Sequence, residues 1–516
     1  MIFVGSLSAY LAAAYYLVFR LNYVAPDALS RVANAFYVLY SRDPHLAAIG
    51  MIWNPLPSFL ELPLVALKSW LPWLVDRGFA GNVETACFGA GAATVVAVLL
   101  RDAGVGRALR IGLVAVWALN PMVLLYSSNG MSDITLMFFL LAAGWLLLRW
   151  LRNPRDILLV GLGAMVAAAT LVRYEAIPFA GLVALVVVVR EHRAGSNWRE
   201  LEARLLLYGL PVLLAILFWV GANAVIMHNP LYFLNGSYAN LSQTQSTHAG
   251  QLAALRLETW PAAVRFVATE SVQLFPAYPA LVILTLLLSV WRRQALLGIG
   301  LALMSTAALM MMAYLIHRGG LALYLRYFVS VIPFSFVLAA YCLSLVRHRL
   351  RERALAGVLL LAFAASGAAS YLAMANPGLG VEEHAAVAAA RQNRPLQSSP
   401  ILQELRLGRV INRLDRAHHL VLIDTFEGGP LVLGSPDPRL FVVTSDLDFE
   451  AALNDPQAYR VAYFVVPEPI GDGKLDAINR RYPGLWEDGD GFATQVAQLG
   501  SGVQWRLYRI VGPAPQ

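Results

Sequence analysis

The stretch Pro26–Pro57, PDALSRVANAFYVLYSRDPHLAAIGMIWNPLP, follows the first apolar run of the chain and is the first part able to carry chemistry. Read as a helix, it puts Asp27, Arg31 and Asn34 at i, i+4 and i+7 on one face, with Leu29, Val32, Phe36 and Leu39 opposite at the same spacing. That pattern predicts a helix lying flat at a membrane surface, with its acid and base turned toward water. Two tight elements, Asp43-Pro44-His45 and Trp53-Asn54-Pro55-Leu56-Pro57, close the stretch.

The rest of the chain supplies the membrane. Hydrophobic residues make up 58% of the 516, and the mean hydropathy is +0.59. A soluble domain is roughly 45–50% apolar, so most of this chain lies in lipid. Cys87 and Cys342 both sit inside apolar runs and form neither a metal pattern nor a disulfide framework. The net charge of +7 does not point to nucleic acid, because the arginines cluster in short connectors between apolar runs, where membrane topology accounts for them.

Apolar runs near 2–19, 82–100, 109–126, 132–150, 156–172, 174–190, 205–226, 273–290, 295–316, 322–346 and 354–375 are long enough to span, which takes about 17–25 residues. The first has no Lys or Arg before it and no cleavage site after it, so it reads as an uncleaved span rather than a signal peptide. The run at 56–75 is broken by Pro57, Glu61, Pro63, Lys68 and Pro72 and reads as a surface or re-entrant segment. With the N-terminus inside, the inner connectors collect Arg101, Arg107 and Arg110, then Arg149, Arg152 and Arg155, then Arg190, Arg193, Arg199 and Arg204, then Arg292 and Arg293, then Arg347, Arg349, Arg351 and Arg353. The outer face holds the loop at 20–80, Ser128-Asn129-Gly130 with Asp133, Arg173-Tyr174-Glu175, a long loop at 227–272, His317-Arg318 and Arg326-Tyr327. Those residues are few, mixed in sign and rich in aromatics, which marks a site rather than a topology signal.

Residues 377–516 change character. Apolar spans stop, and β-type segments appear at 420–425, 440–444, 460–466 and 504–511, with helical patterns near 381–392 and 474–482. The expected division is a transmembrane domain over 1–376 and a small soluble α/β domain over 377–516 on the outer side, joined at Asn376-Pro377-Gly378.

An Asp and an Arg on a helix just after the first span, a W-x-P-L-P element and then many spans resemble the GT-C glycosyltransferases. The branch most alike contains the protein O-mannosyltransferases and the lipid A aminoarabinose transferase. Three further stretches share the likeness: Tyr126-Ser-Ser-Asn-Gly-Met-Ser-Asp133, Pro230-Leu-Tyr-Phe233, and Arg326-Tyr327 followed by Ile332-Pro333. The resemblance covers residues 1–375, and 377–516 matches no named domain. It implies a polytopic α-helical membrane protein, GT-C-like with about eleven transmembrane helices, in a bacterial plasma membrane, with its active site and C-terminal domain outside the cytoplasm. It implies a polyprenyl-phosphate-linked sugar as donor, a glycan, lipid or protein as acceptor, and no nucleic acid. The enzyme would be a hexosyl- or pentosyltransferase. In that family a first-loop Asp is the general base, and Asp27 matches that position. The family often has Asp-Glu there and this chain has Asp27-Ala28, so Asp27 stands without a second acid.

One carboxylate suffices for such a transfer. The acceptor hydroxyl needs a base, worth about 10²–10⁴-fold in rate. The leaving phosphate is already a stable anion and needs positive charge rather than a general acid, whereas glycosidases, which expel an alkoxide, use two carboxylates. Arginine suits phosphate because it is always charged and forks bidentately. Substrate-binding candidates are therefore Arg31, Asp43, His45, Asp133, Arg173, Glu175, His317, Arg318, Arg326 and Tyr327.

Each candidate also has a plainer use. Asp27 and Asp133 sit where an acid caps a helix and meets its dipole. Arg31 is spaced to pair with Asp27. Asp43 precedes a proline and suits a turn, and His45 suits a solvated loop. Arg173 and Glu175 suit a clamp at a span end, although ionisable pairs at membrane depth mark function. Arg326, His317 and Arg318 suit snorkelling at the membrane border. Trp53, Trp70 and Trp73 suit an interfacial belt. No cofactor is required; Asp27, Asp43 and His45 have the chemistry to hold a divalent metal, and His228, His248 and His317 lack tight ligand spacing. The rival reading is a transporter or flippase of lipid-linked intermediates. Such proteins bind near the bilayer midplane, often within inverted repeats, and no repeat is visible here.

Overall fold

In lipid every backbone N–H and C=O must be bonded within the protein, so apolar stretches of spanning length become helices. A computed structural model describes residues 1–247, 257, 259–346, 349–396, 400–414, 419–500 and 504–515; His248 and Arg347 lie outside these. All eleven apolar runs fall on helices. Among the described residues seven helices are long and apolar enough to cross a membrane: Ile2–Arg20, Phe79–Asp102, Asp133–Arg152, Trp198–Ile226, Ala295–His317, Leu325–Leu345 and Leu350–Ala375. Counting Trp260–Leu274 and Ala277–Trp291, which meet at a 103° bend, as one broken span gives up to eight.

The remaining runs fall short for local reasons. The run at 109–126 is split into Arg107–Ala118 and Pro121–Tyr126, because Asn120 caps the second helix through Met122 N and Val123 N, and Pro121 cannot continue the first. The helix at 156–172 is Asp156–Thr170, only 15 residues long. The helix Ala176–Ala194 carries Arg190, Glu191 and Arg193 in its last turns. Glu191, fully buried, accepts from Ser196 at 2.5 Å and pairs with Arg190 and Arg204. The run at 56–75 is the helix Leu56–Val65 followed by a 3₁₀ turn.

The chain divides into two compact units. The first, helical, comprises Met1–Tyr16, Thr85–Ala222 and Leu252–Gln392. The second, mixed, comprises Leu17–Glu84, Asn223–Gln251 and Asn393–Gln516, so the first loop, much of the long loop and the C-terminal segment fold together.

In the mixed unit β1 (Leu420–Ile423), β2 (Phe441–Val443), β3 (Val461–Pro467), β4 (Ala493–Leu499) and β5 (Trp505–Ile510) form one sheet in the order β2-β1-β3-β5-β4. β1 runs parallel to β2 and β3, with Val421 opposite Phe441 and Leu422 opposite Phe464. β5 runs antiparallel to β3 and β4. Leu422, Val442, Phe464, Val466, Tyr482 and Phe492 pack one face. β4 and the helices Pro400–Leu414 and Thr425–Gly434 were absent from the sequence reading. β4 is an edge strand whose Thr494, Gln495 and Val496 face solvent, so it lacks the apolar run that marks a buried strand.

Two polar ties hold the loops of this unit to its sheet. Arg42 pairs with Asp446 at 3.2 Å and with Asp448, in the loop after β2. Asp424, fully buried at the end of β1, accepts from Phe426 N at 2.8 Å, Ala477 N at 2.6 Å and the Tyr238 hydroxyl at 2.5 Å. The Tyr238 ring stacks on Phe426, and the Arg480 guanidinium lies 5.3 Å from its centre.

The helices Pro400–Leu414 and Thr425–Gly434 approach so closely that a Cβ on Gly434 would lie 1.9 Å from the Leu405 carbonyl oxygen, and one on Gly408 1.9 Å from that of Leu431. Gly434→Ala must therefore push the helices apart, at about 1–3 kcal/mol, and lower the unfolding midpoint, whereas Gly209→Ala, with open space around it, leaves the midpoint unchanged or slightly raised. Burial also pushes Glu404 up to about 7 and Glu427 up to about 8. An acid whose pKa is raised on folding binds its proton more tightly in the folded state, so stability falls as pH rises from about 4.5 toward 8. Thermal unfolding across that range should show the decline, and Glu427→Gln should flatten it.

Candidate active site

In the helical unit, the turn Ser127–Ser132 is set by its own bonds. Asn129 Oδ1 accepts from Met131 N at 3.0 Å, Gly130 takes a left-handed φ of 81°, and the Ser128 hydroxyl donates to Tyr10 O at 3.2 Å. This delivers Asp133, only 1% exposed, at the start of the helix Asp133–Arg152. Asp133 stands in the first turn of that helix, and its Oδ1 accepts from Arg173 Nη1 at 2.9 Å. Arg173 also donates from Nε and Nη2 to Glu175 Oε1, at 3.0 and 2.7 Å. Burial alone lowers the Arg173 pKa, but Glu175 and then Asp133 outweigh it and hold the pKa raised.

Arg326 stands in the 3₁₀ turn Leu325–Phe328. It does not snorkel, being only 6% exposed. Its Nε lies 3.0 Å from Glu382 Oε2, and its guanidinium lies 5.3 Å from the Tyr324 ring and 5.4 Å from that of Tyr327. The Arg173 guanidinium is 5.5 Å from the same Tyr327 ring, so Tyr327 joins the two arginines. Beside Glu382, the buried Glu383 accepts from the Tyr126 hydroxyl at 2.6 Å. Burial raises the Glu383 carboxyl above its ordinary value.

Asp133, Arg173, Glu175, Arg326 and Tyr327 thus form one cluster. His317 and Arg318 are placed differently: the His317 ring stacks on Trp260 at 4.6 Å, and Arg318 is exposed at the end of the helix Ala295–His317.

In the mixed unit, Asp27 is half-buried in the first turn of the helix Pro26–Tyr40, after Pro26. Proline suits this first position because the missing N–H would lack an intrahelical partner anyway. The expected surface helix needs correction at Arg31. Arg31 is 8% exposed rather than turned to water, its guanidinium 5.2 Å from the Trp53 ring. The Trp53 face covers it there, and Glu61 in the same unit is fully buried. Burial and then Glu84 push the Glu61 carboxyl well above its ordinary range, and Arg31 opposes them. Asp43 Oδ2 accepts from Leu447 N at 3.2 Å and so helps seat the loop after β2, while His45 Nδ1 lies 2.7 Å from Asp43 O. Among the described residues no three His, Cys, Asp or Glu side chains gather as a metal-holding group.

Sequence reasoning missed Glu61, Glu84, Tyr126, Glu382 and Glu383 in these clusters. A signal was present for some of them: Glu61 interrupts an apolar run, and Glu382-Glu383 come in the short connector after the last apolar stretch. An acid in apolar surroundings needs a partner, so such residues are worth singling out.

No protein-family model matches this chain, and no curated protein matches it. Among solved structures, ArnT from Cupriavidus metallidurans in the apo state matches over 99% of both chains, at 13% identity and a TM-score of 0.58. The archaeal oligosaccharyltransferase AglB from Archaeoglobus fulgidus, in complex with an inhibitory peptide and a dolichol-phosphate, matches all of this chain and 74% of its own, at 12% identity and a TM-score of 0.44. The likeness to ArnT shows a fold shared along nearly the whole of both chains, and in the described residues that fold carries helices long and apolar enough to cross a membrane.

Arg173 is the cation on which two buried carboxylates depend. Arg173→Gln should cost about 3–5 kcal/mol, the penalty for stranding buried charge. Thermal unfolding of the purified protein should show this, with a smaller loss for Glu175→Gln, which leaves Arg173 paired to Asp133.

Proposed function

We propose that this protein is a membrane glycosyltransferase that moves a sugar from a polyprenyl-phosphate donor to an acceptor on the extracytoplasmic face. The observation that carries the reading is the fold, shared along 99% of both chains with ArnT from Cupriavidus metallidurans, together with the likeness of the sequence motifs to the GT-C glycosyltransferases. The position of Asp27, in the first turn of the helix that follows the first span, supports it.

In this reading Asp27 is the general base. It takes the proton from the acceptor hydroxyl, whose oxygen attacks the anomeric carbon of the sugar. The bond from that carbon to the phosphate oxygen breaks, its electron pair leaves with the phosphate, and the anomeric configuration inverts. The developing charge on phosphate is met by guanidinium, which stabilises it most where water is excluded. Arg326, with Tyr327 beside it, is assigned to the lipid phosphate. Arg173, held by Asp133 and Glu175, keeps Tyr327 in place. Arg31 contributes positive charge on the helix that carries Asp27. Asp43, His45, His317 and Arg318 are assigned to substrate binding at the periphery. A divalent metal remains compatible with this chemistry, and no step above needs one.

Labelled polyprenyl-phosphate sugars supplied to membranes containing the protein test the assignment of Asp27. Asp27→Asn keeps size and removes the base, so transfer should fall by about 10²-fold or more. Equal transfer by both proteins would remove Asp27 from the mechanism and leave it a helix-capping residue.

A further inference from the structure

The cluster around Arg326 holds more acid than base. Asp133, Glu175 and Glu382 face Arg173 and Arg326, and Glu383 sits beside them on Tyr126. A phosphate arriving on Arg326 adds a further anion to a site with few cations, and like charges that close repel strongly in a low dielectric. One carboxylate must leave for the phosphate to stay.

The carboxylates are not equally free to go. Asp133 and Glu175 have side chains only 1% and 10% exposed, and both are bonded to Arg173. Glu382 contacts Arg326, its side chain is 29% exposed, and it stands on a turn between the helices Arg349–Ala375 and Glu383–Gln392. A turn residue can withdraw by local backbone rotation without unwinding either helix. The Arg326 guanidinium is meanwhile kept in position by the Tyr324 and Tyr327 rings. Its planar fork suits two phosphate oxygens at once.

We infer that Glu382 is a stand-in for the donor's phosphate: it holds Arg326 while the donor is absent and gives way to the phosphate when the donor binds. The inference rests on the proposed polyprenyl-phosphate donor and adds a regulatory contact to it. The pair keeps a buried guanidinium satisfied between turnovers, and it lowers donor affinity by the fraction of molecules in which Glu382 is engaged.

The test is binding of farnesyl phosphate, with farnesol as the phosphate-free control, to the full-length protein in nanodiscs. Glu382→Gln keeps shape and removes the competing charge, so farnesyl phosphate should bind about three- to tenfold more tightly, with farnesol unchanged. The gain should vanish in an Arg326→Gln background, where there is no guanidinium to release. If Glu382→Gln fails to fold, Glu382→Asp, which shortens the reach to Arg326, is held to the same criterion of tighter binding. Equal or weaker binding by the variant, with the wild type still preferring farnesyl phosphate to farnesol, overturns the exchange alone. A wild type that does not distinguish the two ligands overturns both the exchange and the polyprenyl-phosphate reading.

Discussion

A guanidinium taken out of water must be met by a carboxylate or an aromatic face, or it costs several kcal/mol. Much of the polar structure here follows from that constraint. Arg173 is met by Asp133 and Glu175, Arg326 by Glu382 and two tyrosine rings, and Arg31 by the Trp53 ring. Arg173 with Asp133 and Arg326 with Glu382 join residues far apart in the chain, so these pairings fix how the connections between helices meet. Lipid-facing helices cannot do this themselves, since they gain little hydrophobic energy by associating in an apolar medium.

The mixed unit solves a related problem by other means. Its sheet has an apolar cluster of its own. Charged and hydroxyl groups also fasten the first loop and the long loop to this scaffold: Arg42 to Asp446, Asp43 to Leu447 N, and Tyr238 to Asp424. Loops placed on a rigid scaffold are where binding and catalytic groups concentrate. Here that scaffold is the C-terminal segment, which gives a domain with no recognised sequence likeness a physical role in positioning the helix of Asp27 and Arg31.

Apolar periodicity announced all eleven helical stretches and four of the five strands, because burial on a helix or a parallel strand leaves a run of apolar residues behind it. Partnership between distant residues left weaker marks. Asp133, Arg173, Glu175, Arg326 and Tyr327 were legible as candidates, but their meeting around Tyr327 was not, since 40 positions separate Asp133 from Arg173. Arg31 misled because its spacing from Asp27 fits an exposed i,i+4 pair equally well, whereas it is buried with its guanidinium over Trp53. Glu382 and Glu383 were hidden in a segment that read as the start of a soluble domain. β4 was hidden because an edge strand with one solvated side needs no apolar run.

The most direct measurement follows the fate of a radiolabelled sugar. Purified wild-type protein in liposomes is given a polyprenyl-phosphate sugar labelled in both the sugar and the lipid, together with a crude acceptor fraction from the cell envelope. The account predicts that the sugar label moves to the acceptor with inverted anomeric configuration, while the lipid label is recovered as free polyprenyl phosphate. Donor that crosses the bilayer intact, with both labels still joined, would contradict it and make the protein a carrier of the lipid rather than an enzyme acting on it.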